Sequence, residues 1–310
     1  MTCGSSASTP RRPSYDECRF DYGVSVDHII GAFRPDLDKT RFGADLLLDG
    51  WRKRQEITLQ FAREFWQLCR KGKPRFEPIG VTQGWSPKSH ARAASALQKM
   101  GYRTVAVGGL VPLKTPEILA VLEAVAAVRK PDAKLHLFGV TRCDHFEQFA
   151  QFGVVSFDST SPLRQAFKDD RDNYHTLKRT YPAIRVPQVE GNQTLRRHIV
   201  AGEVDQKEAR RLELACMDSL IKYDKGRARL PNVLGLLLEY ESLVNGAKDY
   251  GEAYREILEE QPWKKCPCDI CKRIGIHVMV FRGAERNRRR GFHNVHVLYR
   301  RLRRELARVA

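Results

Sequence analysis

Two sets of side chains in this sequence are of types and spacings that do chemistry. The first is Cys266-Pro-Cys268-Asp-Ile-Cys271, three thiols within six residues, with His293 further along. Thiolates and imidazole suit tetrahedral Zn²⁺, and four protein ligands with no open position make a structural site. His293 and His296 compete for the fourth position, and His277 is a poorer candidate within the apolar run Ile276–Phe281, which reads as a strand. A closed site of this kind clamps the C-terminal segment without taking part in chemistry. The second set begins with one carboxylate, Asp158. It closes the β-branched run Val154-Val155-Ser156-Phe157 and is followed by Ser-Thr-Ser-Pro. That is the pattern of a buried parallel strand delivering an acid to a loop at its C-terminal end. In α/β barrels this end is the functional face.

The elements that must position these groups follow a rhythm. Strand-like runs at Phe20–His28, Pro78–Gly84, Thr104–Gly109, Lys134–Val140 and Val154–Phe157 alternate with helical periods at Asp49–Arg70, Ser86–Met100, Thr115–Arg129 and near Asp144–Gln151. Strands alternating with helices mean a parallel α/β fold. Ser86 is a fitting N-cap, with Pro87 at the first helical position. Residues 1–19 are small, polar and Pro-containing and read as an irregular lead-in. Residues 20–164 form the β/α part, 165–262 a mostly helical insertion, and 263–310 a zinc-binding subdomain ending on an Arg-rich helix, Asn294–Val309.

The bulk properties narrow the partners. Lys and Arg total 54 against 37 Asp and Glu, a formal charge of +17. Such a balance favours polyanions, nucleic acid first. No stretch approaches the roughly 20 apolar residues of a membrane span, and the opening residues lack a signal-peptide pattern. Eight Cys, three of them in one tight cluster, suit a reducing cytoplasm and a metal better than a disulfide framework.

Taken in order, Gly80-Val-Thr-Gln83-Gly84, Val107-Gly108-Gly109-Leu110, Leu137-Phe138-Gly139-Val140, Phe157-Asp158 with Pro162 and Arg164, the Cys-X-Cys-X-X-Cys cluster and His293-Asn294 resemble the tRNA-guanine transglycosylase family. The resemblance covers residues 20–164 and 263–300. Phe20-Asp-Tyr-Gly-Val-Ser-Val-Asp27-His-Ile-Ile and Ser156–Phe167 are similar to its DNA-modifying branch, the DpdA type. This resemblance implies a (β/α)8 TIM-type barrel and an exchange of guanine in DNA for a 7-deazaguanine, usually from 7-cyano-7-deazaguanine. Asp158 matches the family's nucleophile, which attacks C1′ and holds a covalent sugar. Asp27, Gln83, Gly108, Gly109 and Phe138 match base-binding positions, where hydrogen-bonded readout rejects other bases strongly. Arg164 matches a phosphate-contacting residue, and Cys266, Cys268, Cys271 and His293 match the Zn²⁺ ligands. Exchange on tRNA is the alternative within the class. A non-catalytic nucleic-acid-binding subunit and an unrelated barrel hydrolase are the alternatives outside it. The tRNA relatives are commonly dimers, so a homodimer or a partner protein is expected.

Four departures stand against the family pattern. Five strands precede the helical part, so the barrel is expected to be incomplete. A second catalytic aspartate, the general acid/base of an Asp-Ser-Gly-Gly-like motif, finds its nearest match at Thr2-Cys3-Gly4-Ser5, where Thr2 cannot do that work. Truncation at the N-terminus is therefore expected, with poor solubility or inactivity of this chain alone. Residues 165–262 exceed the corresponding part of the tRNA enzymes and, with the basic tail, are expected to handle duplex DNA. Leu113-Lys114 replaces a bacterial Gly-Glu, which argues against the usual bacterial substrate.

Overall fold

Five parallel strands pair in chain order, β1-β2-β3-β4-β5, in the computed structural model. Residues 13–140, 142–168, 171–245 and 249–309 are described; Thr2–Ser5 lies outside them. The chain divides after Ser159 into two units, each with its own core.

The first unit runs α1 (Pro13–Glu17), β1 (Tyr22–Val24), α2 (Leu46–Gly72), β2 (Glu77–Thr82), α3 (Pro87–Met100), β3 (Thr104–Val107), α4 (Thr115–Ala127), β4 (Lys134–Leu137), α5 (Phe146–Gln151) and β5 (Val154–Phe157). All four residues of β3 are buried, as expected of a parallel strand covered on both faces. Helices α2 and α3 start where their sequence caps them. Asp45 accepts from the Leu48 N–H ahead of α2. Ser86 and Ser89 exchange bonds in a capping box ahead of α3, with Pro87 first in the helix. Gly101 ends α3 at φ 116°, and a Cβ there would stand 2.4 Å from the Trp66 ring, so both backbone and packing demand glycine. The Phe20–His28 run yields only a three-residue strand. Asp27 therefore sits beyond β1 on irregular chain.

The decisive irregularity is in β5. Leu135 pairs with Val154, but His136 pairs with Ser156 and Leu137 with Phe157. Val155 is the extra residue of a β-bulge, and it is 61% exposed. Because side chains alternate along a strand, a one-residue slip reverses every later one. The bulge thus turns Ser156 and Asp158 onto the face that carries His136 and Phe138.

The second unit opens with α6 (Ser161–Lys168) and three two-residue strands, β6 (Tyr174–His175), β7 (Thr180–Tyr181) and β8 (Ile184–Arg185). Helices α7 (Gln193–Val200), α8 (Gln206–Asp224), α9 (Leu230–Asn245), α10 (Gly251–Glu260), α11 (Pro262–Lys265) and α12 (Asp269–Ile274) follow, then β9 (Val280–Phe281) and α13 (Gly283–Val309). The β6–β7 hairpin and the β8–β9 pair fall in runs too short to carry a period. Ile276–Phe281 is a 3₁₀ turn over Gly275–Val278 and then the short β9, rather than one strand. The last helix begins at Gly283, well before Asn294. Its early part is held by Arg290, fully buried, whose guanidinium donates to the carbonyls of Ala166, Val278 and Val280 and to Asn287 Oδ1. Burial lowers this guanidinium to about 9, and the ring of acceptors is what offsets the desolvation of the charge. Among the described residues no helix is long and apolar enough to cross a membrane.

Candidate active site and metal centre

The strand ladder of the first unit continues one residue past its strands. The Gly108 N–H donates to Thr82 O at 3.0 Å, Phe138 N–H to Val107 O at 3.2 Å, and Asp158 N–H to Leu137 O at 3.2 Å. With Val81 opposite Ala106 and Ala106 opposite His136, Gln83, Gly108, Phe138 and Asp158 stand level across four neighbouring strands. They occupy the C-terminal edge of the sheet, where backbone amides leave the ladder and face incoming ligands. One row below lie Val81, Ala106, His136 and Ser156.

Asp158 is open to solvent, its side chain 60% exposed. One carboxylate oxygen, Oδ1, accepts from the Gly139 N–H at 2.9 Å. His136 Nε2 lies 3.6 Å from the same oxygen, and its Nδ1 lies 2.9 Å from Ser156 Oγ. Phe138 meets the imidazole edge-to-face at 4.9 Å and packs against Ile79, Val81 and Ala106.

Asp27 is held from the opposite side. Gln83, 1% exposed, donates from Nε2 to Asp27 Oδ2 at 2.5 Å and accepts at Oε1 from the Ile30 N–H at 3.0 Å. Gln55 in turn donates to the Gln83 carbonyl at 2.6 Å. Both ends of the Gln83 amide are therefore occupied, and its flip is fixed by them. The two glycines make room for it. A Cβ on Gly108 would stand 2.2 Å from Gln83 Nε2, and one on Gly109, at φ +74°, would stand 2.4 Å from Ile30 O. The Gly-Gly turn thus accommodates the amide that grips Asp27. Arg164 belongs to the second unit, exposed on α6, with its N–H donating to Thr160 O at 2.9 Å.

The metal centre lies wholly in the second unit. Cys266, Cys268, Cys271 and His293 bring their ligand atoms within 4.8 Å of one another. His293 Nδ1 lies 3.5, 3.4 and 3.4 Å from the three sulfurs. A tetrahedral ion with S and N ligands at ordinary lengths sets that edge at about 3.5 Å. His293 Nε2 donates to His175 O at 2.8 Å, which leaves the Nδ1 lone pair for a metal. The ring stacks on Tyr174 at 4.0 Å, and the Tyr174 hydroxyl lies 3.3 Å from Cys271 Sγ. Hydrogen bonding from Cys266 and Cys271 pulls the Cys268 thiol well below its usual range, toward the thiolate a metal needs. His293 rather than His296 completes the cluster, and His277 sits on the 3₁₀ turn. Asn294, next along α13, donates to Pro162 O and Asn173 O and accepts from His175 N–H at 3.0, 2.9 and 3.0 Å. The donor set therefore fits a metal ion.

A carboxylate-bearing edge of a parallel sheet, followed in sequence by a largely buried Cys3His cluster that could hold a metal ion, marks an α/β protein of the transglycosylase class. Residues 49–178 match the queuine tRNA-ribosyltransferase family. Over 292 residues the chain is 46% identical to a DNA-guanine transglycosylase from Salmonella montevideo, covering 93% of this chain and 69% of that protein. The chain belongs to the tRNA-guanine transglycosylase superfamily, within its DNA-guanine transglycosylase family.

Sequence reasoning passed over His136, Ser156 and Gln55. His136 sits in Lys-Leu-His-Leu, an ordinary alternating strand. Only its cross-strand pairing with Ser156 puts it beside Asp158. The one available signal was its place two residues before Phe138, on the same strand face.

Proposed function

We propose that this chain exchanges guanine in DNA for a 7-deazaguanine, such as 7-cyano-7-deazaguanine, through a covalent intermediate on Asp158. The observation that carries the reading is the level row of Gln83, Gly108, Phe138 and Asp158, in which one solvent-facing carboxylate is held by a single backbone amide. The Asp158 carboxylate attacks C1′ of a flipped-out nucleotide while the C1′–N9 bond breaks. Its electron pair leaves on guanine N9, which takes a proton from water. The sugar is then an ester of Asp158, reversible because its leaving group is a stable carboxylate. The incoming deazaguanine attacks C1′ through N9, loses the N9 proton, and returns the ester electrons to Asp158.

Asp27 accepts from the donor edge of the base, and Gln83 holds it for that purpose. Phe138 offers an apolar face to the purine, and Arg164 takes a backbone phosphate of the extruded nucleotide. Cys266, Cys268, Cys271 and His293 hold a structural Zn²⁺ that ties α12 to α13. The basic lining of a cavity of about 610 Å³ beside this cluster, with Lys178, Lys265 and Arg300, supports a role for the second unit in gripping the DNA backbone. A reducing cytoplasm suits the free thiols.

Nucleoside mass spectrometry of DNA and tRNA from cells expressing the gene tests the reading. Deazaguanine in DNA, absent with Asp158→Ala, is expected. Deazaguanine confined to tRNA would move the substrate to tRNA, and its absence from both would make the chain a binding subunit.

A further inference from the structure

The proposed mechanism uses Asp158 but leaves unused the imidazole beside it. We propose that His136 is a positioning residue for Asp158 and makes the reaction proton-sensitive. The neutral ring orients the carboxylate for attack, and the protonated ring draws it into an ion pair and withholds it from C1′. This inference rests on the reading of Asp158 as nucleophile.

The geometry arises from the pairing of β4 and β5. His136 and Ser156 are direct cross-strand partners only because Val155 bulges out. Ser156 Oγ, 2.9 Å from Nδ1, acts as donor when that nitrogen carries no proton. The ring proton then resides on Nε2 and points at Asp158 Oδ1, 3.6 Å away. Oδ1 is also the oxygen that accepts from Gly139 N–H. The Gly139 hydrogen bond and the nearby imidazole therefore both lie on the Oδ1 side and leave Oδ2 as the attacking atom. Phe138 closes the ring from the side, so the imidazole cannot swing away without disturbing the apolar row beneath the base.

The surroundings isolate the interaction. Asp158 is the charged group that acts on the ring; Ser156, Phe138 and Ala106, its partner on β3, are neutral. Burial outweighs the Asp158 charge and holds the imidazole below its ordinary value, so the ring is neutral near pH 7. On acidification it gains a proton next to the nucleophile. The attack develops positive charge at C1′ and needs the full carboxylate charge, which an adjacent imidazolium offsets.

Two measurements decide it. The first is the pH dependence of base exchange in the full chain with His136→Gln and His136→Ala. We expect the wild-type rate to fall on the acid side with one proton and His136→Gln to lose that limb while keeping activity near pH 7. His136→Ala should lower kcat by about 10- to 100-fold, the size of a misplaced reacting group, with little change in KM for DNA. An unchanged acid limb in His136→Gln overturns the proposal. The second needs no turnover: imidazole NMR titration of His136 in wild type and in Asp158→Asn. The midpoint should move to lower pH when the carboxylate is removed, and an identical midpoint refutes the coupling. If Asp158→Asn remains active while the midpoint moves, the nucleophile assignment fails and the coupling stands.

Discussion

The carboxylate edge of the first unit and the Cys3His cluster of the second are held in opposite ways. Asp158 is 60% exposed and gripped through one oxygen by a backbone amide. His293 is 1% exposed and is fixed by three sulfurs, a stacked tyrosine and a backbone carbonyl. One site keeps an atom free for a reacting partner; the other spends every donor and acceptor internally. With Asp158 proposed as the nucleophile and the cluster as a structural metal site, substitutions at the two sites should have opposite signatures.

The largest expected effect comes from breaking the closed site. Structural zinc contributes apparent binding energies of about 10 kcal/mol or more to small metal-organised folds. Chelation, or Cys271→Ser, should release one equivalent of Zn²⁺ per chain and abolish cooperative melting of the second unit. Asp158→Asn should leave that melting unchanged while removing exchange by about 10⁴-fold or more. Zinc loss without a change in melting would break the contrast, as would destabilisation by Asp158→Asn.

How much of this was legible beforehand follows from what each feature depends on. The strand and helix alternation, the Ser86-Pro87 helix start and the thiol cluster are local patterns, and the structure carries each of them. The family resemblance rested on short motifs in order, and the 46% identity establishes it. The bulge at Val155 could not be read, because it exists only relative to β4. For the same reason His136 looked like a strand residue, and the hydrogen bonds of the Gln83 amide with Asp27 and Ile30 could not be read. The early start of α13 was hidden by the run Arg288-Arg289-Arg290, where one buried arginine is indistinguishable in sequence from two exposed ones.

A smaller effect sharpens the comparison within the first unit. His90, buried on α3 with Nδ1 3.3 Å from Thr82 Oγ1, is lowered by burial from 6.5 to about 4. The unfolded chain takes up this proton first as pH falls, so the contribution is whole above about 6.5 and is lost as pH drops through about 4. The full span is worth about 3 kcal/mol. Urea unfolding of wild type and His90→Gln at pH 7 and pH 4.5 should show a steeper acid loss in wild type. Parallel losses would remove His90 from the account.

The central claim is that Asp158 forms the bond to the sugar. Incubating the full chain with guanine-containing DNA, quenching in denaturant and mapping peptides by mass spectrometry tests it directly. A deoxyribosyl ester on the peptide bearing Asp158, absent in Asp158→Asn, is the result the account predicts. An adduct on another residue, or one that persists in Asp158→Asn, would contradict it.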